Sequence, residues 1–205
     1  MRAMAIPRAA GAFVVAVLLL HPRPSGTPLV AGAEPSATPA AAGHTVRALV
    51  PARSHASFQV THLFVQHVSG SVPVLSGQAT FADATSTAPM SVEATLDPRR
   101  IATGDGDRDD DLQGPDWFDV ARFPKWTFAG TANEATPGGF VLQGSLTLHG
   151  VARPVRLAVT TLRGFPNARY RATGTVDRHA FGMRITPFDA TIGNDVTLSL
   201  EVEFE

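Results

Sequence analysis

The chain has no cysteine. That excludes disulfide bridges, thiolate metal sites, a cysteine nucleophile and a lipid-modified amino-terminal cysteine. An exported protein without bridges is held by its core alone. Lysine is scarce, most of the 17 cations being arginine, and the formal net charge is −1. No basic face marks a nucleic-acid partner, and none is expected. No apolar run reaches the ~20 residues that a membrane-spanning helix needs. There is no G-x-S-x-G elbow for a serine nucleophile. Gly104-x-Gly106 is a turn, without the βαβ surroundings of a nucleotide loop. No cofactor is expected.

What is present begins with a targeting pattern. Arg2 and Arg8 precede the apolar run "AAGAFVVAVLLL" (Ala9–Leu20), and a small-x-small site follows at Ala31-Gly32-Ala33. This predicts a secretory signal peptide over 1–33 and a periplasmic or secreted destination. An uncleaved signal anchor is the competing reading, because the site lies far from the apolar run. "EPSATPAAAG" (34–43) reads as a flexible tether. The remaining domain, 44–205, is large enough to bury roughly 70% of its unfolded surface.

From Thr45 onward the hydropathy alternates with period two. In "VTLSLEVEF", Val196, Leu198, Leu200, Val202 and Phe204 take one face, and Thr197, Ser199, Glu201 and Glu203 the other. In "FVLQGSLTLHG", Phe140, Leu142, Leu146 and Leu148 share a face, while Val141 falls on the opposite, polar one. Similar runs occupy 45–50, 56–62, 77–81, 90–96, 125–132, 155–162 and 169–181. Such alternation means strands with one wet and one dry face. About nine of them, punctuated by Gly, Pro and Asn, predict an all-β fold: an up-and-down antiparallel barrel, with a sandwich as the alternative.

One stretch breaks the pattern. "GDGDRDDDLQGPDWFD" (Gly104–Asp119) carries seven acids. Asp105, Asp107 and Asp109 match the first, third and fifth places of a calcium loop. The sixth place needs glycine and holds Asp110, and the twelfth holds Asp116 instead of glutamate. Adjacent solvated acids also lack the opposed environments of a catalytic pair. The preferred reading is structural: a turn and short acidic helix start, with Pro115 opening a second helical turn and Trp117 and Phe118 anchoring it to the barrel.

Three motifs in this region and beyond carry a resemblance. They are R-D-x-x-L leading to D-x-F-D and Phe-Pro, the turn "LTLHGVARPV", and the late "RHAFG". With the opening hairpin "SHASFQVTHLFVQHVSGSV", they make the chain resemble the YceI-like family over roughly Thr45 to Phe204. The resemblance implies an extended, lipocalin-like barrel with one or two short helices and a long apolar pocket for polyisoprenoid lipids. The chain departs from the family at Asp111, where a histidine usually precedes the leucine of the R-D motif, and at Gln113, where a basic residue follows it.

On that view strand phase puts Phe58, Val60, Trp126, Phe128, Leu146, Leu148, Leu198 and Leu200 on the pocket wall. Phe64, Trp117, Phe118 and Phe181 fall nearer an end. His62 shares the face of Phe58 and Val60 and is either a pocket residue or a core histidine. The spacings of His55, His62 and His67 are odd, so neighbouring members oppose each other on one strand, and no metal site is expected. The expected function is an exported carrier of a long isoprenoid, a prenyl quinone or polyprenyl phosphate, and not an enzyme. A homodimer and transient membrane contact stay open as further associations. Two alternatives also stand: a filled barrel serving as an interaction protein, and an isoprenoid-modifying enzyme using His62.

Overall fold

The computed structural model describes residues 43–63, 65–183 and 188–205. The leader, all of the tether but Gly43, and Phe64 lie outside the described residues.

Ten strands form one antiparallel sheet: β1 (Thr45–Ala48), β2 (His55–His62), β3 (Gln66–Val72), β4 (Val74–Phe81), β5 (Ser91–Leu96), β6 (Trp126–Thr136), β7 (Gly139–Leu148), β8 (Val151–Arg163), β9 (Ala168–Asp177) and β10 (Ile192–Phe204). The order across the sheet is β1-β4-β5-β6-β7-β8-β9-β10-β2-β3. β3 and β4 are one run of chain interrupted at Pro73, which has no N–H to give a ladder. β3 pairs with β2 and β4 with β5, so the continuity of that run rolls the sheet into a barrel. At one end β1 fills the seam. It pairs with β4, and the Ala48 and Glu205 backbones exchange hydrogen bonds of 3.2 and 3.0 Å.

The alternation works as the sequence predicts. Phe140, Leu142, Leu146 and Leu148 of β7 join a core cluster with Leu49, Leu96, Leu157, Val159 and Phe204. Phe58, Phe128, Leu198 and Leu200 are half-buried and pack against it. Val141 is an exception: it stands on the outer face yet is buried. Its partner strand carries a bulge opposite, between Ala132 and Glu134, and an extra residue there re-aims the local side chains.

The turn motifs have physical reasons. His149 and Gly150 join β7 to β8 with φ of 52° and 71°. A two-residue hairpin with both φ positive matches the twist of its strands. Gly150 is also required sterically, because a Cβ there would come within 2.4 Å of the Phe123 ring. The late "RHAFG" forms a 3-10 turn, Arg178–Phe181, ended by Gly182. Arg178 is only 2% exposed. Its guanidinium donates to the carbonyls of Met183, Asp189, Ile192 and Gly193 and pairs with Asp189 at 2.7 Å. It thus holds the end of β9 against the start of β10. A planar fork with five donors suits that role better than lysine.

The acidic stretch forms a single helix, α1 (Gly106–Gln113), followed by hydrogen-bonded turns and not by the second helical turn expected at Pro115. Asp105 caps it by accepting from the Arg108 N–H at 3.2 Å. The Asp109 carboxylate accepts from the Thr103 N–H and hydroxyl at 2.8 and 2.6 Å. Two of the three candidate calcium ligands are therefore occupied as caps and braces. The segment before the helix is stitched to β3, since Ser71 and Ala102 exchange backbone bonds of 2.8 and 3.0 Å. These contacts fix α1 over one end of the barrel.

Candidate ligand-binding site

The barrel interior holds a cavity of about 150 Å³. Its wall is drawn from the inner faces of β2, β3 and β5 to β10, with Leu49 and Pro89. Among the described residues no charged side chain lines it. The end away from α1 is packed with rings. Tyr170 meets Phe140 and Phe204 edge-on, at centroid distances of 5.8 and 6.1 Å. The Tyr170 hydroxyl donates to the Thr87 carbonyl at 2.8 Å. Burial pushes this phenol up to about 12, with the Arg47 charge opposing the rise.

At the α1 end lies an open cleft of about 810 Å³. Phe58, Val60, His62, Val68 and Ile192 form its barrel side. Arg108, Asp110, Asp111 and Leu112 come from α1, and Pro115, Asp116 and Trp117 from the turns after it. Phe58 belongs to both spaces. Its ring packs against Gly70 of β3, where a Cβ would stand 2.4 Å from Cζ. The missing side chain at 70 is what keeps the phenyl against the wall and out of the lumen.

The structure brings most of the predicted wall residues together. Phe58, Trp126, Phe128, Leu146, Leu148, Leu198 and Leu200 line the interior. Val60, His62 and Trp117 line the cleft. Phe118 and Phe181 belong instead to solid packing: both are buried, and Phe118 meets the Trp126 ring edge-on at 4.6 Å. They support the wall from behind. His55 and His67 are exposed and His62 is half-buried; His67 pairs across the ladder with Thr61, and among the described residues the three histidines form no metal-binding group. Among the described residues no hydrogen bond or ion pair joins His62 to an acid. Asp111 and Gln113, the departures from the family pattern, differ in placement. Asp111 lines the cleft, while the Gln113 amide donates to the Asp109 carbonyl at 3.2 Å.

Sequence reasoning missed several wall residues, chief among them Tyr170. The signal was available, since Arg169-Tyr170-Arg171 alternates out-in-out. A second omission had no sequence signal at all. Trp126 is only 7% exposed, yet its indole N–H has no acceptor among the described residues. A buried donor left unpaired costs about 1–3 kcal/mol.

An antiparallel barrel with an apolar interior that opens under a short helix defines a lipocalin-like fold class. The chain belongs to the YceI-like family, whose domain description matches residues 48–204. A UPF0312 protein of Shewanella oneidensis is 32% identical over 158 residues, covering 73% of this chain and 82% of its own. Among solved structures, Burkholderia cenocepacia BcnA superposes with a TM-score of 0.64 at 19% identity, over 76% of this chain and 98% of its own. A polyisoprenoid binding domain from Saccharophagus degradans, implicated in plant cell wall breakdown, gives 0.57 at 18% identity, over 78% and 97%. At these identities the two structures speak for the fold.

Proposed function

We propose that this protein is an exported carrier that holds the long chain of a polyisoprenoid, of prenyl-quinone or polyprenyl-phosphate type, inside its barrel, and that it is not a catalyst. The observation that carries this reading is the charge-free interior wall continuing, past Phe58, into an open cleft. Membership of the YceI-like family and the likeness to a polyisoprenoid binding domain support it. The dimensions add a condition. A dry apolar cavity of ~150 Å³ takes a group the size of benzene, so a longer chain needs ring movement and the space of the cleft. Phe58 and Phe128, half-buried and lying on the wall, are the rings best placed to yield. Each buried methylene contributes ~0.8 kcal/mol, so a few isoprene units offset the cost of association.

The test places a charge on the wall. Phe58→Asp and Leu200→Asp are compared with Thr197→Asp, on the exposed face of β10. After folding is checked by circular dichroism, retention of a prenyl quinone or polyprenyl phosphate is measured. The wall variants are expected to lose the lipid and the control to keep it. Equal binding by folded wall variants and control, or no uptake by the native protein, defeats the carrier reading in favour of a filled barrel.

A further inference from the structure

We infer that the indole N–H of Trp126 is the polar anchor of the bound lipid: it donates to a neutral acceptor oxygen, a carbonyl or ether, in the head of the molecule. This deepens the carrier reading and rests on it. Among the described residues, two polar side chains line the interior: Tyr170 and Trp126. Ser57 stands on the exposed face of β2, where its hydroxyl donates to the Ser199 carbonyl at 3.0 Å, and Tyr170 donates to Thr87. Of the two interior donors, only that of Trp126 is unmet. An indole nitrogen can donate but not accept, so the complement it lacks is an acceptor, which a bare isoprenoid chain does not carry. The oxygen therefore sits in the head group.

Position and charge narrow the class. Phe118, just after α1 in the chain, packs on the Trp126 ring, which places the indole under the cleft and away from the ring-packed end. The head thus lies toward α1, with the chain pointing to Tyr170. An anionic head finds little help there. Among the described residues, Asp110, Asp111 and Asp116 line the cleft against one arginine, Arg108. That guanidinium is already committed to the Thr103 hydroxyl at 2.8 Å, the Thr103 carbonyl at 3.3 Å and Asp105 at 3.9 Å. A carbonyl-bearing head suits this neighbourhood better than a phosphate.

Trp126→Phe keeps an aromatic ring and removes the donor. Titration calorimetry would use a prenyl quinone, a polyprenyl hydrocarbon of equal chain length and the matching polyprenyl phosphate. The variant is expected to bind the quinone about three- to tenfold more weakly, the value of one hydrogen bond, and the hydrocarbon unchanged. The native protein is expected to prefer the quinone to the phosphate. Equal weakening for quinone and hydrocarbon, no weakening for either, or a phosphate bound as tightly as the quinone overturns the assignment while leaving the carrier reading intact. Uptake of none of the three by the native protein overturns both. A readout on the native protein stands beside the variant. With two tryptophans in the chain, the indole N–H resonance of Trp126, assigned with Trp117→Phe, is expected to move downfield with the quinone and not with the hydrocarbon. No such difference overturns the assignment even if Trp126→Phe does not fold.

Discussion

The one tyrosine of the chain, Tyr170, can report whether the barrel interior is dry. Its phenol is raised from 10.0 to about 12 by burial, in a side chain only 3% exposed. The sign follows from proton counting. Between pH 10 and 12 the unfolded chain gives up this proton while the native protein keeps it. The native state then binds more protons, so stability falls as pH rises through that window and is unaffected below it. A shift of about two units corresponds to at most ~2.7 kcal/mol. Tyrosinate absorbance, titrated on the folded protein, gives the native value directly. Urea unfolding at intervals across the same range gives the loss of stability. Tyr170→Phe is expected to cost ~1 kcal/mol at neutral pH through the lost bond to Thr87 and to remove its part of the alkaline decline. A native phenol titrating near 10, or a decline unchanged in Tyr170→Phe, would refute the reasoning and indicate a wetted interior.

Three further outcomes are expected. Gly70→Ala should drive the Phe58 ring into the lumen and reduce lipid uptake several-fold at a cost of ~1–2 kcal/mol, and Gly70→Ala/Phe58→Ala should restore uptake; a retention assay on both variants checks this, and unaltered binding by Gly70→Ala speaks against it. Calcium should neither bind at micromolar concentration nor raise the melting temperature, because the Asp105 and Asp109 carboxylates serve the helix; calorimetry on chelator-treated protein decides it. Intact-mass measurement of the exported protein should find the segment ending at Ala33 absent, whereas a full-length, membrane-retained chain would contradict the secretory reading.

Much of this architecture was legible from period-two alternation, because each strand has one face against the core and one against water. β7 and β10 were placed on phase alone, with Leu146, Leu148, Leu198 and Leu200 inward. β3 was reached only through the resemblance of "SHASFQVTHLFVQHVSGSV" to a hairpin: "QHVSGSV" is polar and holds a glycine where its neighbour's phenyl lies, so it shows no apolar rhythm of its own. It exists because β2 offers it a ladder and Pro73 lets the same run turn into β4. Phe118 and Phe181 looked like pocket residues because an aromatic at the end of a barrel strand or turn can face the lumen or back the wall, and sequence does not tell the two apart. The unmet N–H of Trp126 depends on which acceptors lie around it in three dimensions, which no local pattern encodes.

The packing of Tyr170 with Phe140 and Phe204 has a consequence for traffic. A barrel stoppered at one end by interlocked rings is a blind tube. On the carrier reading proposed above, an occupant enters and departs by the cleft beneath α1, and the last part to go in is the first to come out. On that reading delivery depends on orientation: a membrane or partner that takes the cargo meets the α1 face, and one that approaches the stoppered end receives nothing. Exchange is a matter of how the molecule docks, with no need for the barrel to open along its seam.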